Sequence, residues 1–227
     1  MDSYGQFCPV AMAAEIVTRR WTPLVIRELL SGSRRFNDIH RGVPRMSRTL
    51  LATRLAELEN AGLIERVTTG RDDHPEYLLT QAGEELRPII VELGFWGKRW
   101  VKRELTSEEY DPRLLMWDMQ RGIRMDAVPA QPVVVLFRFT DAPAEDSTFW
   151  LVLEDGTADL CLTDPGREED LFVRCTVKRL TEVWMGDARA IDAMADGSLW
   201  IGGPSELRRA FPSWLGLSLF AEGHVEA

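Results

Sequence analysis

Nine arginines fall between Val17 and Arg54, and they are the residues of this chain best suited to bind another molecule. They are Arg19, Arg20, Arg27, Arg34, Arg35, Arg41, Arg45, Arg48 and Arg54, opposed within the stretch only by Glu28 and Asp38. The local balance is 9 − 2 = +7, on a chain of 227 residues whose net charge is −9. A concentrated basic face on an acidic protein is the electrostatic footprint of a nucleic-acid site. Two acids cannot neutralise nine guanidinium groups within the segment, which leaves a field for phosphate.

Other chemistries have little to work with. His40, His74 and His224 are scattered, and none pairs with cysteine at metal-ligand spacing. No catalytic constellation, cofactor motif or metal set is expected, so the chain does not read as an enzyme. Gly202-Gly203 lacks the lysine of a phosphate loop, and the acidic run from Asp164 to Asp170 reads as a solvated loop. Three widely spaced cysteines make no disulfide framework. The start MDSYGQFCPV lacks the basic and apolar segments of a signal peptide, and no apolar run reaches about 18 residues. A cytoplasmic protein with no membrane partner is the expectation.

The elements that must position the arginines can be read from helix punctuation. Pro9 suits a first helical position, and Val10, Ala13, Ala14 and Val17 recur at helical spacing. Pro23 seeds a second helix that Ser31-Gly32 stops, and Phe36 and Ile39 begin a short third. Ser47 then caps a longer helix with Leu50, Leu51, Leu55 and Leu58 on one face, ended by Ala61-Gly62. A hairpin follows, with Tyr77 and Leu79 on its returning strand and turn formers plus Arg71 and His74 at its tip. Three helices and a hairpin make the layout of a winged helix-turn-helix. Its last helix would enter the major groove of double-stranded DNA. Ser47, Arg48, Thr49, Ala52 and Thr53 would then face base edges. Arg34, Arg35, Arg41, Arg45, Arg54 and Arg71 would clamp phosphates.

A helical pattern continues from Gln81 to Glu104, with Leu86, Ile90, Leu93, Trp96, Trp100 and Leu105 in a stripe wider than a small domain can cover, and with Pro88 breaking or kinking it. The stripe predicts a homodimer, and hence an inverted-repeat operator with half-sites about 10 bp apart or a multiple. Cys8 sits at a predicted helix N-terminus, which favours anionic groups such as a thiolate. It is a candidate redox residue; the alternative is a small apolar residue beside the first helix.

Charge divides the chain. Residues 1–105 carry 16 basic and 14 acidic side chains, and residues 106–227 carry 11 and 22. The segment TSEEYDP marks the boundary, giving a first domain over 1–105 and a second over 106–227. The second half reads as α+β: four or five strands, one pair joined by Asp155-Gly156, with three or four helices, in an open sheet covered on one side. It holds five of the eight tryptophans, Trp117, Trp150, Trp184, Trp200 and Trp214. They suit an apolar cavity for a small effector, and equally an ordinary core.

Motifs in the first half resemble the HxlR-type winged-helix transcriptional regulators. They are Trp21 opening the second helix, Arg35-Phe36 opening the third, the serine-led recognition helix, Leu58 to Leu63 as Leu-Glu-x-x-Gly-Leu, and Leu79 to Gly83 as Leu-Thr-x-x-Gly. The resemblance implies a DNA-binding homodimer acting as repressor or activator. In some members a cysteine at the position of Cys8 senses oxidants or electrophiles. The second half is similar to the sterol carrier protein type-two-like domain, through Leu-Thr-x-Val-Trp-x-Gly-Asp and then Gly197 to Gly203. That resemblance implies a tunnel for lipids or other apolar molecules. The expected whole is a dimeric one-component regulator modulated by an apolar effector. The rival is a lipid carrier whose winged helix serves as a dimer or partner module.

Overall fold

Prolines and hydroxyl or carboxylate caps set most helix starts. In the computed structural model, which describes residues 3–68 and 74–222, Pro9 opens α1 (Pro9–Val17) and Pro23 lies in the first turn of α2 (Thr22–Leu30). A short α3 (Phe36–Gly42) precedes α4 (Arg48–Asn60), where Ser47 Oγ accepts from the Leu50 N–H. Gly62, at φ 71°, then turns the chain into the hairpin of β1 (Ile64–Val67) and β2 (Glu76–Leu79). Helices α5 (Gln81–Glu84) and α6 (Arg87–Trp100) follow. The helical run is interrupted at Glu85-Leu86, so that Pro88 sits in the first turn of α6, where its missing N–H costs nothing.

The chain divides into two compact units between Gly97 and Lys98. Val25, Ile26, Ile39, Leu51, Leu55 and Ile64 centre the core of the first unit, with Leu86 and Ile90 packed on it. The motif Leu79 to Gly83 is the joint that closes this unit. Thr80 Oγ1 donates to the Gly62 carbonyl at 2.7 Å and accepts from the Gly83 N–H at 3.2 Å. A Cβ on Gly83 would stand 2.1 Å from the Leu63 carbonyl oxygen. Gly83→Ala is therefore expected to destabilise this unit by about 2 kcal/mol, the scale of an overpacked core, as read from the denaturant midpoint.

In the second unit, Asp111 Oδ1 accepts from the N–H groups of Arg113 and Leu114 to cap α7 (Pro112–Arg121). Five strands follow: β3 (Val133–Phe139), β4 (Thr148–Glu154), β5 (Thr157–Cys161), β6 (Leu171–Cys175) and β7 (Leu199–Gly202). They form one sheet in the order β5-β4-β3-β6-β7, antiparallel except for the central β3–β6 pair. Asp155 and Gly156 both take positive φ in the β4–β5 turn, as a tight hairpin requires. Helices α8 (Val177–Trp184), α9 (Ala190–Ala195) and α10 (Ser205–Trp214) complete the unit. One sheet face carries Val135, Phe137, Leu151, Val173 and Ile201 into a core shared with Met116, Leu180, Phe211 and Trp214 from the helices.

Cys175 belongs to that core, and burial, reinforced by Asp141, pushes its thiol up to about 12. The unfolded thiol ionises near its ordinary 9.0. Between those values the unfolded chain releases a proton the folded one keeps, so stability falls as pH rises through that window. Cys175→Val should remove this alkaline slope. In native protein at pH 8, iodoacetamide is expected to label the half-buried Cys8 and Cys161 before Cys175.

Candidate nucleic-acid interface

The face of α4 opposite Leu51, Leu55 and Leu58 is polar and open: Ser47, Arg48, Thr49, Ala52 and Thr53 are all exposed. Helical spacing puts them on one side because the leucines at i, i+4 and i+7 claim the other. Thr53 Oγ1 donates to the Thr49 carbonyl at 3.0 Å, which fixes its side chain on the helix. Arg48 is preset. Its Nη2 donates to Asn37 Oδ1 at 2.7 Å, and its guanidinium lies 4.9 Å from the centre of the Phe36 ring.

Arg34 and Arg35 stand at the root of the wing. The Tyr77 N–H donates to the Arg34 carbonyl, and Arg35 bridges to Glu76 as a short third strand. Both side chains are exposed, as are those of Arg45, Arg66 and His74. Arg71 lies outside the described residues.

The arginine field is thinner than the residue count implies, because acids from outside the segment fold back onto it. Glu57 holds Arg19 at 2.8 Å and Arg54 at 2.6 Å, and Glu76 approaches Arg35 at 3.7 Å. Arg41 pairs with Asp38, and Arg27 with Glu28. Arg54, with 17% of its side chain exposed, also donates to the Arg20 carbonyl. Its first role is to tie α4 to the end of α1. Sequence reasoning missed Glu57 and Asn37 as the residues that orient this surface. The Arg-x-x-Glu spacing of Arg54 and Glu57 is the helix-pair signal that points to one of them.

A second missed feature lies behind the surface. Glu28 is fully buried. Its carboxylate accepts from Arg27 at 2.7 Å and from Ser33 Oγ at 3.2 Å, while Arg27 also donates to the Gly42 carbonyl. A Cβ on Gly42 would sit 1.9 Å from the Glu28 carboxyl carbon. The clamp joins α2 to the end of α3 and so fixes the turn leading to Ser47.

Helix α6 buries none of its residues. Ile89, Leu93, Trp96 and Trp100, at i, i+4, i+7 and i+11, are each more than half exposed. Helix α1 likewise buries nothing and exposes Val10 and Met12, with Phe7 just before it. Cys8 is the N-cap residue of α1 and makes no side-chain capping bond.

The five tryptophans singled out for an effector do not converge. Trp214 is fully buried in the helix-side core, where Trp184 packs at its margin. Trp150 and Trp200 lie on the opposite sheet face, and Trp117 packs under Arg121 on α7. A cleft of about 550 Å³, lined by Tyr110, Arg113, Asp141 and Lys178 among others, includes none of them. Among the described residues no group of three or more histidine, cysteine or acidic side chains could hold a metal ion, and no helix is long and apolar enough to cross a membrane.

Three helices, a capped fourth with an open polar face and a two-stranded hairpin define a winged helix-turn-helix unit. Residues 16–105 match the HxlR-like helix-turn-helix family model. The HTH-type transcriptional regulator YvaP of Bacillus subtilis is 37% identical over 99 residues, 43% of this chain and 92% of the relative. Regulator Mb3122 of Mycobacterium bovis is 38% identical over 136 residues, 54% of this chain and 84% of the relative. The structure of the reduced form of the transcriptional regulator YodB from B. subtilis aligns with a TM-score of 0.38 at 30% identity, over 43% of this chain and 97% of that one. The chain belongs to the HxlR-like helix-turn-helix family of transcriptional regulators. These relatives are named as regulators and not as enzymes.

Proposed function

We propose that residues 1–105 form a DNA-reading and dimerisation domain that binds an inverted repeat, with α4 in the major groove. The observation that carries this reading is the exposed α4 face, with Arg48 preset at its N-terminus and Arg34, Arg35 and Arg45 beside it. Arg48 and Thr49 meet base edges, and Arg34, Arg35, Arg45 and Arg71 meet phosphates. The exposed stripes of α6 and α1 support a homodimer, since a monomer has no reason to leave four large apolar side chains of one helix in water. The test is a footprint on the DNA upstream of the protein's own gene. A protected inverted repeat whose affinity falls steeply with salt is expected. No protection at moderate salt, there or on a genomic library of fragments, overturns the reading.

We further propose that residues 106–227 form a sterol-carrier-like effector domain that takes an apolar ligand between helices and sheet. Its support is one-sided helical cover over an open sheet, and two buried polar atoms, Trp214 Nε1 and Gln120 Oε1, that find no partner among the described residues. An interior that holds unpaired polar atoms is suited to a ligand with a polar end. Coupling of about 5- to 150-fold on DNA affinity is the usual range for such effectors. Displacement of a fluorescent fatty acid from the full chain tests it, and absence of any saturable uptake overturns it.

A further inference from the structure

The sheet of the second unit has a second face that its helices leave alone. Alternation places Leu136 and Arg138 of β3 on it, with Trp150 of β4, Phe172 and Arg174 of β6, and Trp200 of β7. Register makes these residues neighbours. Leu136 pairs with Trp150 on one side and Phe172 on the other, and Arg138 pairs with Arg174, which pairs with Trp200. Phe172 is 38% exposed and Trp200 47%. The Trp200 ring turns back over Gly202, where a Cβ would stand 2.4 Å from it, and the Arg174 guanidinium stacks 5.1 Å from its centre.

Half of this face already has a cover, and the cover is acidic. Residues 162–170 run from the edge strand β5 to β6 and must therefore pass β4 and β3. They do so on this side. Glu169 accepts from the Trp150 indole N–H at 3.1 Å, and Arg167 pairs with Glu154 at 2.6 Å. Val134 and Val152, which share this face, are buried. The chain's own strap thus shows one thing the surface takes: a carboxylate, Glu169, set on an indole, beside Asp170 paired with the Val134 backbone.

The other half offers the same apolar ground with opposite charge. Arg138 and Arg174 are exposed, lie on adjacent strands about 4.8 Å apart, and make no ion pair with a described residue. Two adjacent like charges repel. On a half of the chain with 11 basic and 22 acidic residues, such a pair beside three apolar side chains is a local reversal of sign. The platform is flat, so it does not enclose a small molecule. Tryptophan and arginine side by side are the residues that dominate protein-protein contacts.

We infer that the uncovered half of this face, centred on Arg138, Arg174 and Trp200, docks an extended acidic segment of a partner protein, with carboxylates on the arginine pair and an apolar side chain on Trp200 and Phe172. The test is selection of a displayed library of random octapeptides against the full chain. Peptides combining at least two carboxylates with an aromatic or aliphatic residue are expected to be enriched. Their affinity should fall about tenfold or more in Arg138→Ala/Arg174→Ala and weaken as salt is raised. Both positions are exposed, and an unchanged melting profile confirms that the variant folds. Trp200→Ala should weaken binding with little change in its salt dependence. Enrichment of no acidic motif overturns the inference, as does an acidic motif that binds the double variant equally well. Self-association of the chain that the arginine variant abolishes, without peptide binding, also overturns it and makes a second copy the occupant.

Discussion

Arg48→Ala is expected to weaken binding to the protected operator by about 5- to 150-fold, the 1–3 kcal/mol range of a lost bidentate base contact. The loss should fall mainly on the specific site, so that preference over a scrambled duplex shrinks with it. The reason lies in how the side chain is held. Asn37 Oδ1 accepts from it and the Phe36 ring lies beneath it, so little conformational freedom is left to surrender on binding. Asn37→Ala should therefore reproduce part of the defect without touching any group that contacts DNA. Arg34→Ala should behave otherwise, weakening specific and nonspecific complexes alike and lowering the salt slope by about one. Anisotropy titrations of the full chain against both duplexes at two salt concentrations separate these outcomes. Equal losses on both duplexes for Arg48→Ala would make it a phosphate contact and move the reading head elsewhere.

Glu28→Ala is expected to destabilise the first unit by about 3 kcal/mol or more, the cost of removing one partner from a buried ion pair. Arg27 would lose its carboxylate partner, and Ser33 Oγ would lose one acceptor. Glu28→Gln keeps the volume and an acceptor, and should cost less. Gly42→Ala attacks the same clamp from the other side, since the new methyl group and the carboxylate cannot share one place. Chemical denaturation followed by far-ultraviolet dichroism measures all three. If Glu28→Ala were neutral, the clamp would be incidental, and the turn before Ser47 would be held by the core alone. A partial loss of DNA binding in Glu28→Gln, at a temperature where it stays folded, would show that the clamp also aims α4.

Much of this architecture is legible from local rules because local forces decide it. Pro9, Pro23, Ser47, Asp111 and the Asp155-Gly156 turn each act within a few residues, and each marks an element end in the sequence as in the fold. What is hidden is what folding brings together from a distance. The balance of nine arginines against two acids stops at Arg54, three residues short of Glu57, which pairs with two of them. Glu28 counts in that balance as a surface acid, yet it occupies a core position of α2 between Val25 and Leu29. An acid inside an apolar stripe is the available sign. For the effector site, tryptophan composition cannot say which sheet face a ring occupies. Strand parity can: Trp150 and Trp200 fall opposite the buried neighbours Leu151 and Ile201. The interruption of the long helical run is legible in kind but misplaced, because proline is tolerated in a helix's first turn and the break falls before it.

The parallel pairing of β3 with β6 has a consequence for how the chain reaches this structure. Val135 meets Leu171 across 36 residues, whereas β3 meets β4 through a short connection. Folding rates fall as contacts become less local, so the β3–β4 hairpin should form well before β6 joins it. During synthesis β3 and β4 emerge as a hairpin whose outer edge is open until β6 arrives. That edge, VVVLFRF, is apolar and rich in β-branched residues, the kind of strand that pairs with a stranger if it waits. A chain interrupted before Leu171 would thus carry a sheet primed to aggregate behind its N-terminal unit.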